Sequence, residues 1–163
     1  MKIAAGVFLI IAAVLNVIAG AGYAFGGGLA SAGATIAEEA AKHVEAQGIK
    51  DGNAQAVNDA RKVKQVVNDS NMKVAGGALM AFGFFLLVTF VLQIIGAIFL
   101  FMAKNKGFIF VVAALSVLAE VIGILITSFG VTNVFGLVGG VLAFIAANSF
   151  GKAAPPAQQP AQG

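Results

Sequence analysis

The sequence predicts an all-α integral membrane protein: a four-transmembrane-helix antiparallel bundle with an extracytoplasmic helical hairpin between spans 1 and 2. Two observations predict this fold class. Apolar residues make up 60% of the chain and charged residues only 10%, whereas soluble domains have roughly one-half and one-quarter. The charges are also segregated, because six of the seven acids and six of the ten bases lie within residues 38–73. Too few charges remain elsewhere to cover so much apolar surface in water.

Four apolar runs predict the spans, because a helix needs about 20 apolar residues to cross the hydrocarbon core. The runs are residues 3–22, about 75–103, 107 to about 129, and about 131–150. The connections after the second and third runs are very short, so spans 2, 3 and 4 are expected to be antiparallel neighbours. The predicted domains are a first span (1–22), an outer hairpin (23–73), spans 2–4 (74–152) and a disordered cytoplasmic tail (153–163).

Lysines at the ends of the apolar runs predict the orientation. Four of them have no acid nearby and fall on one side: Lys2, Lys104, Lys106 and Lys152. Because short cytoplasmic flanks carry an excess of Lys and Arg, both termini are predicted to be cytoplasmic and residues 23–73 extracytoplasmic. The outer segment has no cysteine and needs no disulfide or glycan. We therefore expect the bacterial cytoplasmic (inner) membrane.

The first run has an alternative interpretation as a secretory signal. Lys2, the apolar stretch and the small residues at 19–21 together resemble a signal peptide with its cleavage site. The apolar run is long for a signal core, however. We predict a span that stays attached.

The outer segment is rich in Ala and in charged and amide residues, a composition that favours helix. Thr35 to Glu38 fits a capping box, so a helix is predicted over 35–47 with Gly48 as its stop. A turn at 51–53 then offers Asn53 as a new N-cap. The second helix, 53–72, is predicted to run directly into span 2, with Gly76 and Gly77 as the hinge.

Two further features of the outer segment bear on function. Three consecutive glycines, at positions 26–28, are expected to form a flexible link before the hairpin. The apolar stripe of the hairpin is narrow and consists mostly of Ala and Val. Because such a hairpin has little core of its own, we expect it to lean on another copy, a different subunit or its own membrane surface.

Polar side chains within the apolar runs predict one intramembrane cluster. Helical rise places them at a shared depth, toward the outer half of the bundle. The predicted members are Asn16, Thr89, Gln93, Ser116 and Glu120. A carboxylate at this depth is costly unless it faces protein or is protonated.

Small residues on the same helix faces predict close helix packing. The predicted packing positions are Gly6, Ala13, Gly20, Gly123, Gly136 and Gly140. The polar cluster and these small faces have two interpretations. They hold the helices or other subunits together, or Glu120 binds a proton or cation. The surroundings of Glu120 resemble a rotary proteolipid subunit over a few residues, which would imply the second interpretation.

Composition argues against several function classes. Residues 38–73 have no net charge, and the overall +3 comes from four membrane-edge lysines and Glu120, so nucleic acid is not expected as a partner. No cysteine exists, and His43 is the only histidine. Neither a thiolate nor a multi-histidine metal site can therefore be assembled. We expect no catalytic residues, no metal and no cofactor.

The topology resembles that of claudin- or MARVEL-like four-span proteins. The claudin outer-loop tryptophans and cysteine pair are missing, since the chain has neither residue type, so no family is assigned. The first hypothesis is a non-catalytic scaffold or accessory subunit. It would act through homo-oligomerisation or assembly with other membrane subunits in the lipid bilayer. The alternative is a small proton or cation channel or carrier that uses Glu120.

Overall fold

The computed structural model describes residues 2–126 and 129–150, and this part of the chain is helical without strands. Five helices follow in order: α1 (Lys2–Lys50), α2 (Ala54–Asp69), α3 (Met72–Met102), α4 (Lys106–Ile126) and α5 (Val131–Asn148). The predicted tail and Lys152 lie outside the described residues. Three stretches are long and apolar enough to cross a bilayer: α1, Ala54–Met102 and α4. They point to a membrane protein.

Helix α1 is unbroken where the sequence predicted a link and a new helix start. The predicted flexible link at 26–28 is wrong, because these glycines lie inside the helix. The predicted capping box is also wrong, since the Thr35 hydroxyl donates to the Ser31 carbonyl one turn earlier, at 3.0 Å. A helix needs no cap where the preceding turn already satisfies its N–H groups.

Helix α1 ends at Lys50, and the glycine that terminates it is Gly52 and not Gly48. Gly52 has a φ of 65°, the left-handed conformation that glycine adopts without steric cost. The Asn53 amide donates to the Gly48 carbonyl at 2.8 Å and the Gly52 amide to the Ile49 carbonyl, which is the Schellman arrangement. Asn53 then caps α2 by accepting from the Ala56 amide at 3.1 Å. This confirms the predicted N-cap.

A short break separates α2 from α3. The predicted continuous helix is wrong at this point because Asn71 takes a φ of 49°. Asn is among the few residue types that tolerate this conformation. The predicted hinge five residues later is wrong as well, since Gly76 and Gly77 lie within α3.

The described chain divides into two compact units. Unit 1 contains residues 2–15 and the chain from Thr89 onward, and unit 2 contains Asn16–Val88. In unit 1, apolar side chains from the start of α1, the end of α3, α4 and α5 form the core. Its largest members are Leu9, Leu100, Ile109 and Val112. Alanines from α1, α3, α4 and α5 fill the remaining positions, so these helices lie close together.

Unit 2 is held by close contact between the backbones of α1 and α3. A methyl group on Gly27 would lie 2.5 Å from the Gly76 carbonyl oxygen. One on Gly20 would lie 3.0 Å from the Gly83 carbonyl oxygen. Gly20 and Gly27 are seven residues apart on α1, and Gly76 and Gly83 are seven apart on α3. The two glycines of each helix therefore lie on one face. These glycines therefore serve helix packing.

Candidate functional site

A chain of hydrogen bonds crosses α3, α4 and α5 in unit 1. The Gln93 amide nitrogen donates to the Ser116 hydroxyl oxygen at 2.8 Å. That hydroxyl donates onward to the backbone carbonyl of Gly136 at 3.2 Å. Gln93 and Ser116 are both completely buried. The bonds link three helices at one level, as interhelical polar contacts do in apolar surroundings.

Glu120 lies one turn along α4 from Ser116 and contacts the same residue of α5. A methyl group on Gly136 would overlap the Glu120 carboxylate. Glycine at this position therefore makes room for the acid. Glu120 is 7% exposed, so its carboxylate faces protein.

Asn133 holds the Glu120 carboxylate from the start of α5. Its side-chain nitrogen donates to Glu120 Oε2 at 2.8 Å. Its side-chain oxygen accepts from the Gly130 amide, also at 2.8 Å. The side-chain amide of Asn133 thus donates through its nitrogen to the carboxylate and accepts through its oxygen at the first turn of its own helix.

The remaining predicted cluster residues are also buried. Thr89 is one turn from Gln93 on α3 and is 1% exposed. Asn16 is 6% exposed but belongs to unit 2. The hydrogen bonds given above all join residues of unit 1.

The predicted packing positions are all buried. Gly6 lies against the Phe101 ring, and Gly140 lies so close to α4 that a methyl group would be 3.0 Å from the Ala113 carbonyl oxygen. Gly20 packs on Gly83 in unit 2. Ala13 and Gly123 complete the set. Small residues at these places let helix backbones approach each other.

Asn133 is a site residue that was not predicted from the sequence. The available signal was an amide residue three positions after Gly130, at the start of an apolar helix, which is a common helix-start pattern. Nothing local indicates that the same side chain reaches Glu120, because that contact depends on how α4 and α5 align.

The site offers hydrogen bonds but no reactive group beyond one carboxylate. In the part of the chain that the structure describes, every fully buried side-chain nitrogen or oxygen has a hydrogen-bond partner. Among the same residues, no three or more His, Cys, Asp or Glu side chains gather in a way that could hold a metal ion. A satisfied polar network stiffens and aligns the helices that carry it.

A second set of polar contacts joins α1 to its neighbours in unit 2. Arg61 and Lys64 of α2 both bind the Glu45 carboxylate, at 2.8 and 2.9 Å. Glu38 binds Lys42 at 2.7 Å and also binds Lys73 of α3. Hydrogen bonding from Lys42, followed by that from Lys73, lowers the pKa of Glu38 to about 2.

The Glu45 carboxyl is shifted in the same direction. Its hydrogen bond with Arg61, followed by that with Lys64, lowers its pKa below the ordinary value. Both acids are therefore ionised at neutral pH and fix the alignment of α1 against α2 and α3.

Comparison of this chain with protein-family models, curated proteins and solved structures finds no match.

Proposed function

We propose that the chain crosses the bilayer four times and acts as a non-catalytic scaffold or accessory subunit of a membrane assembly. Helices α1, α3 and α4 have ample apolar length. Helix α5, with 18 residues, would reach about 27 Å at 1.5 Å per residue, close to the roughly 30 Å of the hydrocarbon core. The described part of α5 carries no charged side chain, which supports its assignment as the fourth span.

Contacts within unit 1 support the proposed orientation. The Lys2 ammonium lies 5.4 Å from the centre of the Phe150 ring, and Gly6 packs on Phe101. The start of α1, the end of α3 and the end of α5 therefore lie at one end of the unit. Lys104, in the connection after α3, belongs to the same end. Lysines gathered at one end of a bundle indicate the cytoplasmic side of the membrane. We therefore propose that both termini are cytoplasmic and that the membrane is the bacterial inner membrane.

The observation that carries the proposed function is the polar site, whose side chains hydrogen-bond to one another and to the backbone. Gln93, Ser116 and Asn133 each use side-chain groups on partners within the protein. A transport site needs groups that exchange partners with a passing ion, whereas a site that fixes helices needs saturated bonds. The arrangement supports a role in holding helices at a set alignment for assembly.

The carrier alternative depends on Glu120. It is the one acid within the described apolar helices α3–α5, and its residual exposure is small. A proton-coupled carrier would need Glu120 to lose its Asn133 contact during each cycle.

Co-purification of differently tagged copies, with mass analysis of crosslinked partners in native membranes, tests the proposal. We expect stable complexes that contain a second copy or another membrane subunit. A monomer in mild detergent that also yields no crosslinked partner in membranes would refute the assembly role.

A further inference from the structure

One flank of the α1–α2 pair carries an open apolar groove. Two cavities of about 460 and 320 Å³ form it, and both are lined by Ala37 and Val63, so they adjoin. Along α1 the lining extends from Leu29 to Val44, which is about 22 Å of helix. The groove therefore has the length of a helix-packing surface.

The two flanks of α2 differ in chemistry. On one, Arg61 and Lys64 close over Glu45. On the other, the groove exposes Val63 and Val66, the latter 66% exposed, and Leu29 of α1 is 75% exposed. The ion pairs complete the first flank, while the second leaves large apolar side chains uncovered.

Lipid is not a suitable cover for this flank. Helix α2 carries five charged residues in sixteen, and each charge placed in the hydrocarbon core would cost a few kcal/mol, roughly 2.5–3.5 for Lys, Arg or Asp. Since lipid does not cover them, we expect these apolar side chains to contact protein.

We infer that a second copy of this chain packs into the groove through a two-fold contact. The groove supplies both knobs and holes on one surface: Val63 and Val66 project from it, whereas Ala40 and Gly33 leave space. A surface that carries both can pack against itself, as an isologous interface requires. This inference rests on the proposed assembly function and names its partner.

Charge at the groove also favours a second copy. Its described lining includes two charged residues of opposite sign, Asp59 and Lys62. Within one chain they are 3.9 Å apart and largely exposed, so their own pairing is weak. A two-fold axis that passes beside Val63 brings the long Lys62 side chain of each copy within reach of Asp59 of the other. A strongly charged partner would gain no electrostatic attraction from a groove lining without net charge.

Cysteine crosslinking tests the contact directly, because the chain has no native cysteine. The Val63→Cys variant places a thiol in the groove. The control, Asn68→Cys, lies about 140° around α2 on the ion-paired flank and is also exposed. Mild oxidation of full-length protein in native membranes should give disulfide dimers of Val63→Cys, in at least about five-fold excess over Asn68→Cys. Equal yields would overturn the inference.

Charge complementation between two tagged copies identifies the partner. Both copies carry Val63→Cys; one also carries Asp59→Lys and the other Lys62→Asp. Each change breaks the pair within its own chain, so only contact between chains can compensate. We expect mixed disulfide dimers to exceed the two like-with-like dimers by about five-fold relative to random pairing. Random pairing would overturn the two-fold arrangement.

The failure of this inference is distinguishable from failure of the proposed function. If differently tagged copies co-purify but Val63→Cys does not crosslink, the copies meet elsewhere and only the groove contact is refuted. If Val63→Cys crosslinks to a different membrane subunit, the second copy is refuted as occupant while assembly stands. If no association of any kind is found, both fail.

Discussion

Gly27 and Gly76 pack backbone against backbone: a methyl group on Gly76 would lie 2.7 Å from the carbonyl oxygen of Gly27 and 2.8 Å from the Ser31 amide nitrogen. Neither neighbour is a flexible side-chain end that could move aside. The contact therefore sets the approach of α1 and α3 within unit 2. It also provides a matched pair of variants, because a methyl group on the next residue, Gly77, would meet nothing within 4 Å.

Gly76→Ala is expected to destabilise the protein by about 1–3 kcal/mol, the usual cost of overpacking. Gly77→Ala should instead be neutral or stabilise by up to about 1 kcal/mol, since glycine is a poor helix former. Reversible unfolding in mixed micelles measures both. Similar effects of the two substitutions would contradict the close approach.

The Gln93–Ser116 hydrogen bond predicts energetic coupling between α3 and α4. Ser116→Ala and Gln93→Leu should each lower the free energy of unfolding by about 1 kcal/mol. Because both substitutions remove the same hydrogen bond, the double variant should fall short of the sum by about 0.5–1.5 kcal/mol. Leu125→Ala, at an 80% exposed position of α4, serves as a control that should add independently. Strict additivity for Gln93 and Ser116 would show that the bond contributes nothing.

The fit of Glu120 against Gly136 predicts that one substitution rescues another. Gly136→Ala inserts a methyl group where the carboxylate lies and should destabilise by about 1–3 kcal/mol. In a Glu120→Ala background the side chain is gone, and the same methyl group should be tolerated. Unfolding of the four proteins in one double-mutant cycle measures this. An unchanged cost in the Glu120→Ala background would place the acid elsewhere.

Glu120→Gln separates the two functional hypotheses. The amide oxygen of glutamine can still accept from Asn133, so folding should be retained. As a scaffold, the wild-type protein in proteoliposomes should pass protons and monovalent cations no faster than empty vesicles, and the variant should behave identically. Ion flux by the wild type that Glu120→Gln abolishes would favour the carrier and refute the scaffold role.

Glu38 predicts acid sensitivity in unit 2. Its pKa is lowered from an ordinary 4.5 to about 2 in the folded protein, through Lys42 and then Lys73. A depressed folded pKa stabilises above the unfolded value, and this stabilisation is lost as the pH falls through about 4.5 toward 2. Wild-type protein should melt higher than Glu38→Gln at pH 7, and the gap should close at about pH 2. A gap independent of pH would mean that the charge of Glu38 is not responsible.

Local chemistry predicted the apolar helices well. The apolar runs at 75–103, 107–129 and 131–150 match Met72–Met102, Lys106–Ile126 and Val131–Asn148 to within a few residues. Asn53 was predicted correctly as an N-cap because a cap depends on residues next to it. Both successes come from interactions within a few positions of the chain.

The predictions that were wrong concern residues whose role depends on which residue faces them from another helix. Glycine alone does not distinguish a link from a packing surface, and Gly27 became a packing residue only because Gly76 lies across from it. The prediction that Gly48 ends the helix was wrong, because Gly48 packs against Val57 and Ala56 of α2. The role of Asn133 was missed for the same reason, since its carboxylate partner is on another helix.

The two-ended use of the Asn133 amide has a consequence for biogenesis. The carboxylate of Glu120, the amide of Asn133 and the backbone of Gly130 all lie within fourteen consecutive positions, 120–133. A nascent chain therefore has this trio complete within fourteen residues of Glu120, before the rest of α5 has been made. In the proposed four-span arrangement, Asn133 would lower the cost of placing the acid in lipid soon after its synthesis, and α4 and α5 would enter the bilayer together as one pair.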